Sequence, residues 1–387
     1  MNILIKKIHD YEPGLVKKIF DFVFVPCFED KVGKHKYIRA MPKPGTNTIS
    51  EKAFYGNKTL EWVIIDDSVE TIGYAAFYRC NAVTDVFISE SVKIIEKRAF
   101  VGMSKLTHII IGNSVETIGD WAFDDCTNLT HVKIPDSVET IGEWAFYECI
   151  SLTHVTIGNS VETIGDGAFS CCSMLSDVTI GNSVKTINYH AFCKCTNLTQ
   201  VIIPDSVETI GDSAFYQCSS LTHLIIGDSV KTIGCEAFYE CTNLNHLVIG
   251  NSVETIDDFV FCDCINLTHV TIPNSMESIG YGAFIKCISL TSIIIPNSVV
   301  IIDNSTFDGC LSLSHLVIGD SVKTIGDWAF YKCTNLTKVI ISDSVETIGN
   351  SAFDECTNLT QITIPNSVET IGQDAFPLNT KIIRETQ

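Results

Sequence analysis

The 17 cysteines of this 387-residue chain are the first residues whose number and spacing could carry chemistry. Twelve of them form one column at intervals of 23 residues, with Met103 in place of one cysteine. They are Cys80, Cys126, Cys149, Cys172, Cys195, Cys218, Cys241, Cys264, Cys287, Cys310, Cys333 and Cys356. Stacked coils would bring neighbouring thiols within disulfide range, but parallel Cβ vectors do not converge as metal ligands must. We interpret the column as small buried side chains whose S–H groups meet turn carbonyls, and we expect neither metal nor cofactor.

Histidines form a second column, which seven of the ten occupy, each one residue before an apolar position. They are His108, His131, His154, His223, His246, His269 and His315. Such a row could bind a divalent metal, but no carboxylate recurs beside it to orient the rings. We therefore prefer a solvated polar row and leave open its response to pH or metal. Protonation would place like charges side by side, so we expect a bound partner to be held less tightly below about pH 6.

Enzyme activity is not expected from this sequence. No Ser-His-Asp or Cys-His arrangement, P-loop or dinucleotide motif is present. Catalysis needs unlike groups that converge on one point, whereas a repeat presents the same few side chains again and again. We assign no catalytic residue.

A 23-residue repeat must position both columns. A phenylalanine recurs at this interval without insertion from Phe54 to Phe376, which indicates one stacked coil per repeat. The unit from Asn159 to Gly181 reads N-S-V-E-T-I-G-D-G-A-F-S-C-C-S-M-L-S-D-V-T-I-G. It resembles the BspA-type leucine-rich repeat, with its signature I-x-x-x-A-F-x-x-C-x-x-L-x-x-I-x-I-P, from Ile49 to about Ile383. The resemblance implies a curved solenoid whose sheet lines the concave side, and a role in binding or adhesion.

Each repeat is predicted to contain one strand, one turn and one returning segment. In Leu152–Ile157 the residues Val155 and Ile157 share one face while His154 and Thr156 share the other, which is strand periodicity. Such segments side by side predict one parallel sheet. The Pro/Gly-Asx-Ser sequence that follows is typical of a turn with an Asx side chain bonded to its own backbone. The Ala-Phe pair is expected in a short helical or 3₁₀ turn opposite the sheet, giving an α/β class.

A second outward strand position is apolar in three groups of neighbouring repeats. Its members are Ile64, Phe87, Ile110, Ile202, Ile225, Val248, Ile294, Val317 and Ile340. With the Thr-rich column beside them and the histidines His108, His131, His154, His223, His246 and His269, they predict a surface that binds a protein or peptide partner. The alternative interpretation is that β-branched residues simply favour strands.

The chain ends and the net charge bear on domain organisation, partners and location. Residues 1–46 lack the repeat and predict an N-terminal cap with an amphipathic helix at Pro13–Val23; residues 47–387 form about fifteen units, including a C-terminal cap. The 26 basic and 46 acidic residues give a net charge of −20, which disfavours nucleic acid and acidic lipid as partners. No secretory signal or membrane-spanning segment is evident, so we expect a cytoplasmic monomer, with the cell surface as the alternative.

The function predicted from these features is a non-catalytic protein-interaction or adhesion scaffold. The main alternative is an intracellular adaptor that docks through residues 1–46, because the segment from Pro13 to Val23 resembles the opening helix of F-box adaptors. A third hypothesis is a metal-binding or redox protein that uses the histidine or cysteine column.

Overall fold

The structure is a computed structural model that describes residues 25–28 and 36–384. These residues form strands and turns, and none of them lies in a helix. They divide between two compact units, Met1–Val161 and Glu162–Gln387. The helix predicted at Pro13–Val23 lies outside the described residues.

In the first unit, two series of parallel strands alternate along the chain. The long strands, of three to five residues, are Val25–Phe28, Tyr37–Met41, Trp62–Ile65, Asp85–Phe87, His108–Ile110, His131–Lys133 and His154–Thr156. The two-residue strands are Thr48–Ile49, Thr71–Ile72, Ile94–Ile95, Thr117–Ile118 and Thr140–Ile141. The long-strand sheet extends before the first repeat, because Ile38 pairs with Val63 and Val25 pairs with Ile38.

The second unit repeats this arrangement. Its long strands are Asp177–Thr179, Gln200–Ile203, His223–Ile226, His246–Val248, Ser292–Ile294, His315–Val317, Gln361–Ile364 and Lys381–Arg384. Its two-residue strands are Thr163–Ile164, Thr186–Ile187, Thr209–Ile210, Thr232–Ile233, Thr255–Ile256, Ser278–Ile279, Ile301–Ile302, Thr324–Ile325, Thr347–Ile348 and Thr370–Ile371. The two-residue strands continue without interruption through this unit.

The long strands of the second unit do not form the single sheet that the sequence predicted. Sheets form from residues 200–248, 292–317 and 361–384. Between them the ladder is reduced to single bridges, His269 with Ser292 and Ile340 with Thr363. The continuous sheet is therefore the narrow one.

The segment around each phenylalanine is not helical, which corrects the predicted helical or 3₁₀ turns. Residues two before and two after Phe123, Trp121 and Asp125, have φ of 52° and 56°, in the left-handed region. The Phe123 N–H donates to the carbonyl of Ala145 in the next coil at 2.7 Å, and the N–H groups of Trp121 and Asp125 also donate to that coil. A right-handed helix would use these donors within itself, so bonding between coils excludes the helix.

Aromatic rings and thiols fill the interior of each coil. The Phe54–Phe146 rings stack at 4.8–5.3 Å between centroids, and those of Phe169–Phe376 stack at 5.1–5.6 Å. The column cysteines lie beside this Phe stack. The Cys218 thiol, for example, donates to the carbonyl of Phe192 at 3.3 Å, as the sequence predicted for this column. Ring stacking and S–H donors thus join neighbouring coils within each unit.

The Asx residues of the turns bond mainly to the next coil, which corrects the prediction that they bond to their own backbone. Oδ1 of Asp136 accepts the N–H of Asn159 at 2.8 Å, and Oδ1 of Asp228 accepts that of Asn251 at 2.9 Å. Asp66 is an exception, since its Oδ1 accepts the N–H of Ser68 at 2.8 Å. The side-chain acceptors therefore extend the ladder of hydrogen bonds past the strand ends.

Candidate functional site

The long strands of the second unit place an aliphatic row in solvent. Strand alternation turns Val201 and Leu224 inward, where they are 1% and 0% exposed. Ile202, Ile225 and Val248 point outward and are 62%, 38% and 44% exposed, and the three are paired in register. A second aliphatic pair, Ile294 with Val317, is also in register, and both members are exposed; Ile340 is 66% exposed. These apolar side chains therefore face solvent side by side, separated by the distance between neighbouring strands.

The corresponding residues of the first unit are less accessible. Ile64 and Ile110 are partly buried. Phe87, predicted to face outward, is only 1% exposed, and its ring lies 5.8 Å from that of Trp62 on the neighbouring strand, which is itself 7% exposed. Phe87 therefore belongs to the interior, and the aliphatic surface of this unit is smaller than predicted.

Histidine rings stack where the column places them on neighbouring strands. His131 pairs with His154, and their ring centroids lie 5.0 Å apart with planes inclined by 7°. His223 and His246 lie 5.2 Å apart with planes inclined by 25°. His131, His154, His223, His246 and His269 are exposed, and His108 is partly buried. Four of the seven histidines in the predicted row thus form two stacked pairs.

The threonine column fixes the orientation of these rings. Oγ1 of Thr222 lies 2.9 Å from the carbonyl oxygen of Thr199 and also 2.9 Å from Nδ1 of His223. A hydroxyl has one proton, which it donates to the carbonyl, so it accepts the second hydrogen bond from the imidazole. The neutral His223 ring accordingly carries its proton on Nδ1, and Nε2 is its acceptor. Thr130 and Thr153 contact His131 and His154 in the same way.

A carboxylate that was not predicted from the sequence lies beside the histidine column. Oδ1 of Asp85 lies 3.1 Å from Nδ1 of His108, and Asp85 is 3% exposed. Asp85 also accepts from Oγ1 of Thr84 at 2.5 Å. The signal was available, because Asp85 occupies the histidine position of the preceding repeat. A carboxylate recurs once more at this repeat position, at Asp177, which lies 23 residues after His154.

The thiols and the other possible ligands form no convergent cluster. Among residues 36–384, no group of three or more His, Cys, Asp and Glu side chains is arranged to hold a metal ion. Burial raises the pKa of the Cys218 thiol well above its ordinary value, and neighbouring Cys241 raises it further. Burial likewise raises the pKa of Cys80 to about 12. Such thiols stay protonated at neutral pH and donate to carbonyls.

The described part of the chain includes no helix with the length and hydropathy of a membrane span.

Comparisons with known proteins follow the repeat along the chain. The family model for the BspA type leucine rich repeat region matches residues 47–176, 162–291 and 277–385. A leucine-rich repeat protein from Bacteroides ovatus is 30% identical, with a TM-score of 0.68, and the match covers 88% of this chain and 87% of that one. A leucine rich cell surface protein from Faecalibacterium prausnitzii is 28% identical over 88% and 84% of the two chains, with a TM-score of 0.45. No curated protein matches the sequence.

Proposed function

Because the chain belongs to the BspA-type leucine-rich repeat family, we propose that it is a non-catalytic scaffold that binds a protein or peptide partner through its long-strand face. The long-strand face is the set of outward-facing residues on the long strands. Proteins of this repeat family are typical interaction and adhesion scaffolds.

The single observation that carries the proposal is the exposed row of Ile202, Ile225 and Val248 beside the stacked rings of His223 and His246. Scattered apolar residues are common on surfaces, whereas apolar residues in register make a contiguous patch. The patch combines aliphatic area with imidazole and hydroxyl groups that can form hydrogen bonds. That combination is suited to a polypeptide, whose side chains and backbone need both kinds of contact.

The experiment compares the native chain with the triple variant Ile202→Glu, Ile225→Glu and Val248→Glu. Partners are captured from an extract of the source cells and quantified, and folding is verified by circular dichroism. Three carboxylates on the patch should weaken the binding of a specific partner more than tenfold, because each carboxylate would be buried without a counter-charge.

A matched control carries Ile150→Glu, Ile288→Glu and Leu311→Glu. These residues are 44%, 37% and 41% exposed but lie just after the column cysteines and not on the long-strand face. The control should retain the partner. Equal retention by the patch variant would contradict the proposal.

Adhesion at the cell surface and recruitment inside the cell are two settings in which such a scaffold could act. Protease treatment of intact source cells, compared with lysed cells, distinguishes them. Loss of the protein from intact cells would favour adhesion, and its survival there would favour recruitment.

A further inference from the structure

The long-strand face of the second unit carries one acidic residue, Asp177, in its first coil and none in the eight coils that follow, although the chain has 46 acidic residues against 26 basic ones. The segments that these eight coils supply are residues 199–202, 222–225, 245–248, 268–271, 291–294, 314–317, 337–340 and 360–363. We call these segments the acid-free face. In a chain with a net charge of −20, the carboxylates are concentrated on other surfaces.

Every charged or titratable side chain on the acid-free face is a base. Lys338 is exposed, and the histidines His223, His246, His269 and His315 are exposed as well. Imidazole gains positive charge between about pH 8 and pH 5. This face therefore becomes more positive on acidification, in a range where carboxylates remain mostly ionised.

The surroundings of the histidines do not neutralise that charge. His223 is paired with Gln200 on one side and with His246 on the other, and both His269 and His315 are paired with Ser292. Carboxylates do occur in the turns that follow the strands. Asp205 and Asp228 lie there, and their Oδ1 atoms accept backbone N–H groups of the following turns at 2.9 Å.

We propose that the acid-free face binds an extended polypeptide segment that carries both apolar side chains and carboxylates, and binds it more tightly as the pH falls from 7.5 to 5.5. This inference rests on the proposed function and specifies the partner. The Ile202, Ile225 and Val248 row takes the apolar side chains, and the parallel row of His223 and His246 takes the carboxylates. Both rows run across the strands, so the bound segment also runs across them.

This change of affinity with pH is opposite to the one expected from the sequence. That expectation was based only on the repulsion between protonated imidazoles. A partner with carboxylates placed between the rings offsets that repulsion. A nucleic acid is disfavoured because phosphate binding depends on clustered Lys and Arg, and Lys338 is the one such residue on this face.

The test uses the full chain and labelled random copolymers. Fluorescence anisotropy measures the Kd for a glutamate–tyrosine copolymer, a lysine–tyrosine copolymer and a single-stranded oligothymidine at pH 7.5, 6.5 and 5.5 and constant ionic strength. For the glutamate–tyrosine copolymer, we expect the Kd to fall about three- to tenfold between pH 7.5 and 5.5, the sum of a few exposed ion pairs.

The variant His223→Gln with His246→Gln should bind the same copolymer with a Kd that changes little with pH. His190→Gln is the matched control, because His190 lies two residues before Phe192 and stacks on Tyr189, away from the long strands. It should keep the native pH dependence.

The proposal is overturned if the native Kd stays constant or rises on acidification, if the double variant keeps the full pH response, or if the lysine copolymer or oligothymidine binds more tightly. These failures are distinct from failure of the proposed function. The latter fails when Ile202→Glu, Ile225→Glu and Val248→Glu together leave the cellular partner bound.

Discussion

The imidazole rings of His131 and His154 stack on adjacent strands, with centroids 5.0 Å apart and planes inclined by 7°. Burial lowers the pKa of His131 from its ordinary value of 6.5, and the neighbouring rings of His154 and His108 lower it further. The unfolded chain therefore binds this proton more readily than the folded chain does. The contribution of His131 to stability is complete above about pH 6.5 and is lost as the pH falls from there toward the lower pKa of the folded state.

His131→Gln should accordingly reduce the loss of unfolding free energy between pH 7.5 and 5.5. Urea unfolding at the two pH values measures it. His315→Gln is the matched control, since the in-register neighbour of His315 on the preceding strand is Ser292 and not a second imidazole. The explanation fails if His131→Gln keeps the native pH dependence.

Two partly exposed cysteines, Cys171 and Cys235, should differ in their rates of alkylation. Burial and then the carboxylates of Glu236, Asp212 and Asp258 raise the pKa of Cys235 to about 11. Cys171 is also partly exposed. With iodoacetamide at pH 8, Cys171 should be alkylated well before Cys235, because the thiolate is the reacting species. Peptide mapping by mass spectrometry measures both rates.

Raising the pH toward 10 should accelerate alkylation of Cys235. The buried Cys218 is the internal control and should react only after unfolding. Equal rates for Cys171 and Cys235 at pH 8 would contradict the electrostatic explanation.

Backbone strain around the Phe stack should be relieved by glycine. Lys194 has a φ of 59°, a region that costs roughly 1–2 kcal/mol for a residue with a side chain. Lys194→Gly removes this cost but adds about 0.5–1 kcal/mol of unfolded-state entropy, so the free energy of unfolding should stay equal or rise by up to about 1.5 kcal/mol.

Lys231→Gly is the control with the same change of charge, because Lys231 lies outside the left-handed region. It should lose about 0.5–1 kcal/mol. Chemical denaturation measures both variants. A larger loss for Lys194→Gly than for Lys231→Gly would show that the strain is not relieved.

Substitution by alanine should lower the free energy of unfolding more in the middle of the Phe stack than at its last ring. Phe215 is 0% exposed and stacks between Phe192 and Phe238, so Phe215→Ala should cost about 3–5 kcal/mol. Phe376 is 9% exposed and stacks on Phe353 at 5.6 Å. Phe376→Ala should cost less, since the ring of Phe376 is more exposed and its removal takes less apolar area out of the core. Denaturation of both variants tests this order, and equal losses would contradict it.

Much of the coil could be predicted from a single repeat. The alternation in Leu152–Ile157 identified the inward Val155 and the outward His154, because a strand turns successive side chains to opposite faces. The bond from each column cysteine to a turn carbonyl was also predicted, since a buried thiol has few other acceptors. These features depend on one coil and its position in the stack.

Other features depended on the neighbouring coils. The sequence could not show that Phe87 is buried in contact with Trp62, because outward positions were judged by their own repeat and not by the side chain on the next strand. It predicted a helical turn around each phenylalanine because Ala-Phe segments are compatible with one. The donors there bond instead between coils, which requires the left-handed residues Trp121 and Asp125.

The sequence by itself determined the repeat length, the columns and their order, because a strict 23-residue period leaves one register for stacking. The tertiary structure decided which outward residues reach solvent, where the long-strand sheet is interrupted, and how Thr222 orients His223. These properties are set by atoms in adjacent coils, and the period alone does not specify how closely those coils approach.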